Sequence, residues 1–376
     1  MICPNCSTEL KRKERTGQVC SHCHRPFALD PKVHGRGMHD LRIRRCVDSL
    51  TDRGRLTVTL TQLWYRCRTH SRAWPAREAR GVRPWIRRLV TLPVAGGLLV
   101  CWALTSGTPA LLAAGAAVAV LLAAPKLLPY DPALAAGSYL NPTERDFRRL
   151  MTGEWRTAYG GLPPGVVDDA ERRPGHTAPR PPRPRAVILC TDHSVAVFLQ
   201  ANDMPVRLRA VLVEAEPESA HQALVDVPGR LPVVVLHDAS ALGALLAPLL
   251  RIAHPDRAVV DAGLPVAVVR DRDAAVHRFS PVPAGSRAPA VDAGELRAVA
   301  GLSEEDAAWL AEGFWSPIAA VPAPLLAAVV EEAVERAVAA DSAGSDSAPE
   351  YGFLTWPHAD GAAGADTSGK KGTPTA

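Results

Sequence analysis

Two cysteine pairs open the chain: Cys3-Pro4-Asn5-Cys6 and, thirteen residues later, Cys20-Ser21-His22-Cys23. Two residues between the members of a pair allow a tight turn to aim both sulfurs at one centre. Two such pairs supply the four soft thiolates that Zn²⁺ takes in a tetrahedral structural site, at roughly 2.3 Å. Cys3, Cys6, Cys20 and Cys23 are therefore the expected ligands of one zinc ion. A shell closed by four thiolates leaves no position for water, so the ion's expected role is to stabilise a unit too small to fold alone. Two chance Cys-x-x-Cys turns or a redox dithiol are the competing readings, and a redox motif needs one pair at a helix start. His22 or His24 replacing a cysteine is a further alternative, although four cysteines already fill the shell.

A second group of candidates sits far downstream, in Thr191-Asp192-His193-Ser194 and His237-Asp238-Ala239-Ser240. Each ends an apolar run and places a Ser two residues after an Asp, where a helix is expected to start. Open α/β sheets bind ligands at the carboxyl ends of their strands. There Asp192 and Asp238 together suit Mg²⁺, which takes one or two carboxylates and several waters. The alternative is structural, with both serines as helix N-caps and both aspartates complementing helix dipoles. The sequence has no glycine-rich phosphate loop, no Gly-x-Ser-x-Gly elbow and no His-Glu-x-x-His, which disfavours most well-marked enzyme classes.

The elements that must position these groups are legible in outline. Residues 1–33 form the expected zinc ribbon, with a polar tip from Lys11 to Gly17. Residues 34–84 read as a basic, winged-helix-like segment: a helix from Met38 to Leu50, a short strand at Leu56–Leu60 and a second helix capped by Thr61. From Arg88 to Lys126 no charged residue occurs between the two ends. This stretch divides at Thr105–Pro109 into apolar segments 89–104 and 109–124, each near the lower length limit for crossing a hydrocarbon core of about 30 Å. A transmembrane hairpin over 85–129 is expected, with a hairpin buried inside a soluble domain as its alternative. Asn141 and Pro142 open an amphipathic juxtamembrane helix within 130–160. Residues 161–185, with seven prolines between 162 and 185, read as an extended linker. Residues 186–340 alternate strand and helix signals, and continuous apolar runs such as Val233–Leu236 fit a mainly parallel α/β sheet buried on both faces. Residues 341–376 read as a disordered tail. The fold class expected is a multidomain membrane protein made of an N-terminal zinc ribbon, a two-helix transmembrane hairpin and a C-terminal α/β domain.

The cysteine arrangement resembles the paired knuckles of zinc-ribbon and rubredoxin-like domains. Leu231 to Gly243 resembles the Toprim strand of the type IIB topoisomerase A subunit, and Thr61-Gln62-Leu63-Trp64-Tyr65 is similar to the tyrosine motif of the winged helix that precedes it in that family. This second resemblance implies a Mg²⁺-dependent nucleic-acid enzyme or its inactive descendant, with Asp238 as a metal ligand and Tyr65 as nucleophile. Ser240 stands where the family has its second Asp, and Asp192 takes the place of its first-strand Glu.

Charge then locates the protein. The chain has 376 residues and a net charge of +4. Residues 1–88 hold 20 Lys/Arg against 7 Asp/Glu, while the remainder holds 23 against 32. A field of that sign attracts phosphate, carried either by nucleic acid or by anionic lipid, and Arg42, Arg44, Arg45, Arg83, Arg87 and Arg88 are the contacts expected. Arg83, Arg87 and Arg88 before the apolar stretch and Lys126 after it place both flanks, and both termini, on the cytoplasmic side of an inner membrane. No secretory signal precedes Cys3, and reduced cysteines suit that compartment. The expected partners are the lipid bilayer and, through the basic segment, a nucleic acid or a cytoplasmic protein. The expected function is binding or scaffolding rather than catalysis.

Overall fold

The structure, a computed structural model, describes residues 1–34, 38–68, 80–82, 84–128, 130–131, 142–171, 180–227, 229–270, 276–278 and 291–342. The chain divides into two compact units, one made of residues 1–72 and 140–376 and the other of residues 73–139. The first unit begins with two near-identical turns. Cys3 N–H donates to Thr8 O and Ser7 N–H to Cys3 O, and the second turn repeats this with Cys20 to Arg25 and His24 to Cys20. Ser7 and His24 share positive φ values of 60° and 55°, so both knuckles close in the same left-handed way. Phe27, Ala28 and Leu29 then bury themselves ahead of α1 (Asp40–Leu50), β1 (Val58–Thr59) and α2 (Leu60–Arg68).

Helix, turn, strand and helix follow in the expected order, but the cap of α2 is Thr59 and not Thr61. Thr59 N–H donates to Gln62 Oε1 at 3.0 Å and Gln62 N–H to Thr59 Oγ1 at 3.2 Å, which closes a capping box. The winged-helix expectation fails at β1: its partner is parallel and lies more than a hundred residues away, so the strand is no arm of a local hairpin.

The second unit holds a short antiparallel pair, β2 (Arg80–Gly81) with β3 (Tyr130–Asp131). Between them lie α3 (Pro84–Leu104) and α4 (Thr108–Leu127). Gly107 at φ 74° and Pro109 in the first turn start α4, as the sequence predicts. Trp85–Leu104 is long and apolar enough to cross a membrane, and Thr108–Ala124 is a shorter apolar helix. The polarity of this unit is reversed. Its buried positions are the small residues Ala95, Ala110, Ala117 and Ala124, while Leu89, Leu92, Leu99, Leu104, Leu111, Leu112 and Leu122 are exposed.

The first unit resumes with α5 (Glu144–Leu150), a π-helical turn at Met151–Trp155, and α6 (Arg156–Tyr159), closed by Gly160 in the left-handed region. Its cap is Thr143, which accepts from Asp146 N–H. Of the apolar face expected of this helix, Phe147, Leu150, Met151 and Trp155, all but the half-buried Leu150 are buried within this unit. The linker expected at 161–185 begins later than its prolines suggest. Val166–Val167 forms β4, parallel to β1, and Asp169–Glu171 is a 3₁₀ turn whose Asp169 is buried. Of that span only residues 172–179 lie outside the described residues.

The α/β core then runs β5 (Ala186–Cys190), α7 (His193–Ala201), α8 (Met204–Arg207), β6 (Ala210–Glu214), α9 (Ala220–Val225), β7 (Val233–Leu236), α10 (Ala241–Ala253) and β8 (Val259–Asp261). All four strands are parallel, in the order β6-β5-β7-β8. Every residue of β5, β7 and β8 is buried, because helices cover both faces. Val266–Arg270 forms the helix α11 and not a strand, since Pro265 suits a first helical turn better than a ladder. The short strand β9 (His277–Arg278), α12 (Ala293–Ala300), α13 (Glu304–Ala311), β10 (Phe314–Trp315) and α14 (Ala323–Ser342) complete the unit. The tail expected from residue 341 lies outside the described residues beyond Ser342.

Candidate functional site

The four N-terminal cysteines converge. Their sulfur atoms lie within 4.8 Å of one another, and among the described residues they form the one group of three or more metal-ligating side chains so placed. Cys3 Sγ is 3.8 Å from Cys23 Sγ and Cys6 Sγ is 3.8 Å from Cys20 Sγ, so each contact joins the two knuckles. Backbone N–H groups of Asn5 and His22 point at Cys3 and Cys20 sulfur at 3.4 Å, an arrangement that stabilises thiolate charge. As free thiols Cys3 and Cys6 differ: burial pushes Cys3 up to about 12, while the Thr8 hydroxyl draws Cys6 down to about 6. A dication bound to all four would favour the thiolate of each. The geometry is compatible with a zinc-ribbon-like metal site.

The ribbon is fixed to the helices behind it through buried polar groups that were not expected from the sequence. Asp40, fully buried at the start of α1, accepts from Ala28 N–H and Leu29 N–H at 2.8 Å each, and from the Tyr159 hydroxyl. Arg15 pairs with Asp30 at 2.8 Å. Arg44 donates to Pro4 O at 3.3 Å and lies over the Tyr159 ring, while Arg42 donates to Cys67 O at 3.0 Å. These two expected phosphate contacts are thus engaged within the protein. Arg45 is exposed, Arg87 donates to Leu128 O at 3.4 Å, Arg88 is exposed, and Arg83 lies outside the described residues. Cys46 and Cys67, scattered in sequence, share a side-chain hydrogen bond that lowers Cys46 to about 7.

The second constellation forms at the sheet. The order β6-β5-β7-β8 reverses direction between β5 and β7, and the carboxyl ends of these two strands carry Asp192 and Asp238. Both carboxylates are half-buried. Burial, then the charge of Asp238, raises Asp192 to about 7, and burial raises Asp238 to about 6. Each carboxylate already serves the fold. Asp192 caps α7 by accepting from Val195 N–H at 2.8 Å, and Asp238 accepts from Ile318 N–H at 2.8 Å.

The cap of α7 therefore lies two residues earlier than expected, at Asp192 and not at Ser194. Ser194 Oγ instead meets Thr59 Oγ1 at 2.5 Å, which ties α7 to the capping box of α2. Ser240 does cap α10, accepting from Gly243 N–H at 3.1 Å. Behind the crevice, the buried His237 joins Asp261 at 3.0 Å, and its ring fills the space where a side chain on Gly263 would stand, 2.1 Å from a built Cβ.

Tyr65 is brought to the same region but not in a reactive form. It is buried, its hydroxyl lies 3.3 Å from His277 Nε2, and burial with the charges of Glu144, Asp192 and Asp238 raises its pKa above the ordinary phenol value. A nucleophilic phenolate needs the opposite shift. His277, lowered to about 4 by burial, is neutral and stacks on Trp315. Close enough to act on Asp192 through Asp169 and Glu144 is a charge network that sequence spacing did not reveal. Arg148 contacts Glu144, Asp168, Asp169 and Thr61, and His193 bridges Glu214 at 2.7 Å and Asp169 O at 3.0 Å. The arrangement supplies two carboxylates able to exchange protons near neutrality, in a setting already committed to capping and packing. Set against protein-family models, curated proteins and solved structures, the chain matches none, so no family supports the topoisomerase resemblance, and the cysteine cluster stands on its own geometry.

Proposed function

We propose that this chain is a membrane-anchored cytoplasmic binding or scaffolding module, stabilised by one zinc ion at Cys3, Cys6, Cys20 and Cys23, with α3 and α4 crossing the bilayer and returning as a hairpin. The observation that carries this reading is the reversed polarity of the second unit. Leucines and valines cover the outside of both helices, and alanines occupy the buried positions. Water disfavours such a surface, whereas hydrocarbon accepts it, and small residues let two membrane helices approach closely. The alternative of a hairpin buried in a soluble domain fits poorly with the run of exposed leucines and valines along both helices. Arg87 and Arg88 in the opening turns of α3 and Lys126 near the end of α4 favour cytoplasmic flanks on both sides.

Fractionation of cells producing the full chain tests the anchor. The protein should stay with membranes through an alkaline carbonate wash, and deletion of residues 84–128 should release it. Full-length protein in the soluble fraction would contradict the reading.

The second reading, a Mg²⁺-dependent nucleic-acid enzyme or its inactive descendant, draws on Asp192 and Asp238 at the strand-order reversal. The Ile318 and Val195 contacts and the masked Tyr65 hydroxyl weigh against it. Calorimetric titration of the full chain with Mn²⁺ separates the two: submillimolar binding abolished by Asp238→Asn would favour the enzyme.

A further inference from the structure

A cavity of about 690 Å³ opens between the zinc ribbon and the amino end of α1, lined by Met1, Ile2, Arg15, Pro31, Lys32, His39, Leu41 and Arg45. The lining holds three cationic side chains, one imidazole and no carboxylate. Its volume is that of a small-ligand site. The walls are of two kinds. Arg15, Lys32, His39 and Arg45 offer N–H donors, and Ile2, Pro31 and Leu41 offer apolar surface.

Arg15 is held in place by a 2.8 Å bond to Asp30 and a contact with Met1 Sδ at 3.3 Å. Its side chain is 7% exposed, and its buried Nε has no hydrogen-bond partner among the described residues. Asp30 offsets part of the Arg15 charge, which leaves Lys32 and Arg45, both exposed, as uncompensated cations at the mouth. His39 caps α1 by accepting from Arg42 N–H, and the Asp40 carboxylate in the first turn offsets the positive end of that helix. Burial, followed by the charge of Arg45, holds His39 below the ordinary imidazole value.

We infer that this cavity binds a small phosphate ester of nucleotide size, with the phosphate among Arg15, Lys32 and Arg45 and the rest of the ligand against Ile2, Pro31 and Leu41. Guanidinium groups suit phosphate because their planar fork donates two parallel hydrogen bonds. A concave site also separates a small ligand from an extended nucleic acid. The next arginines of α1, Arg42 and Arg44, are engaged with Cys67 O and Pro4 O, so α1 presents no continuous basic stripe for tracking a strand.

The inference does not depend on the membrane reading. A chain found wholly in the soluble fraction would defeat that reading and leave this one to be tested on the soluble protein.

The test is a titration of the zinc-loaded full chain with a fluorescent ADP analogue, followed by competition with ADP, inorganic pyrophosphate, a water-soluble short-chain phosphatidic acid, and adenosine. Saturable binding at one ligand per chain is expected, displaced by the phosphate-bearing competitors and not by adenosine. Stronger displacement by ADP identifies a nucleotide as the source, and stronger displacement by the short-chain lipid identifies a headgroup. Arg45→Gln with Lys32→Gln should weaken binding about tenfold or more while zinc stoichiometry and thermal melting stay as in the parent chain, since both side chains are exposed. Absence of saturable binding into the low millimolar range would overturn the inference, as would binding unchanged by the double substitution or equal displacement by adenosine. A single-stranded oligonucleotide that binds where ADP does not would also overturn it, in favour of a nucleic-acid surface.

Discussion

The two units of the chain solve burial in opposite ways. In the unit of residues 1–72 and 140–376, Phe27, Phe147, Phe198, Leu29, Ile188 and Leu189 are fully inside, and buried charges such as Asp40, Asp169 and Asp261 are each hydrogen-bonded. In the unit of residues 73–139, the large apolar side chains are outside, the buried positions are alanines, and no charged residue occurs between Arg88 and Lys126. One unit turns its large apolar side chains inward and the other turns them outward, as the proposed membrane reading requires. The contrast also predicts where substitutions hurt: interior polar groups in the first, outward apolar ones in the second.

The largest expected effect is in the first unit. A ribbon of about thirty residues has little core of its own, and structural zinc contributes on the order of 10 kcal/mol to folding such domains. Cys3→Ser with Cys23→Ser should remove the metal, read as loss of one zinc equivalent by elemental analysis together with loss of protease resistance before residue 34. A full equivalent retained would show that the ligands are different.

Next comes the joint between ribbon and helices. Asp40→Ala strips two buried N–H groups and the Tyr159 hydroxyl of their acceptor. The cost should be roughly 2 to 5 kcal/mol by chemical denaturation of the detergent-solubilised chain. A cost near zero would mean that the ribbon is not seated on α1 as described.

Leu99→Asp sharpens the comparison most, because the two solvents give it different outcomes. Leu99 is 46% exposed. In water an aspartate there is harmless, whereas at mid-membrane depth it opposes insertion by about 2.5 to 3.5 kcal/mol. Reduced membrane yield of the variant, measured beside an Asp substitution at exposed Val206 of the first unit, is the expected outcome.

The smallest effect is a pH dependence. Asp192 and Asp238 are raised to about 7 and about 6 from ordinary values near 3.8. Between these limits the folded chain holds protons that the unfolded chain has released, so their contribution lowers stability as pH rises from about 4 to 7. Asp192→Asn removes one such carboxylate and retains a capping oxygen. Its melting temperature should therefore fall less steeply across that window than that of the parent chain.

What could be read from the sequence was what is local. The two knuckles are set by spacings of two residues, so the cysteine cluster was visible at once. The strand β7 was visible through its apolar run and the start of α10 through the Ser240 cap. Long-range pairing was not. Val58–Thr59 finds its partner at Val166–Val167, and this places residues 161–171 inside the fold although their prolines and glycines suggest a tether. Arg148, within the helix expected beside a membrane, is the centre of a network drawn from three segments. Asp192 and Asp238 were correctly chosen as strand-end residues, while their roles depend on α7 and on Ile318, which no local pattern connects to them.

Reporter fusions after residue 80 and after residue 190 test the central claim, that an outward-apolar unit anchors a water-organised one, most directly. Both fusions should give the same cytoplasmic signal, since positive charge flanks the apolar stretch at both ends. Opposite signals would mean a single crossing and would contradict the hairpin, and equal signals from protein that never enters the membrane fraction would contradict the anchor.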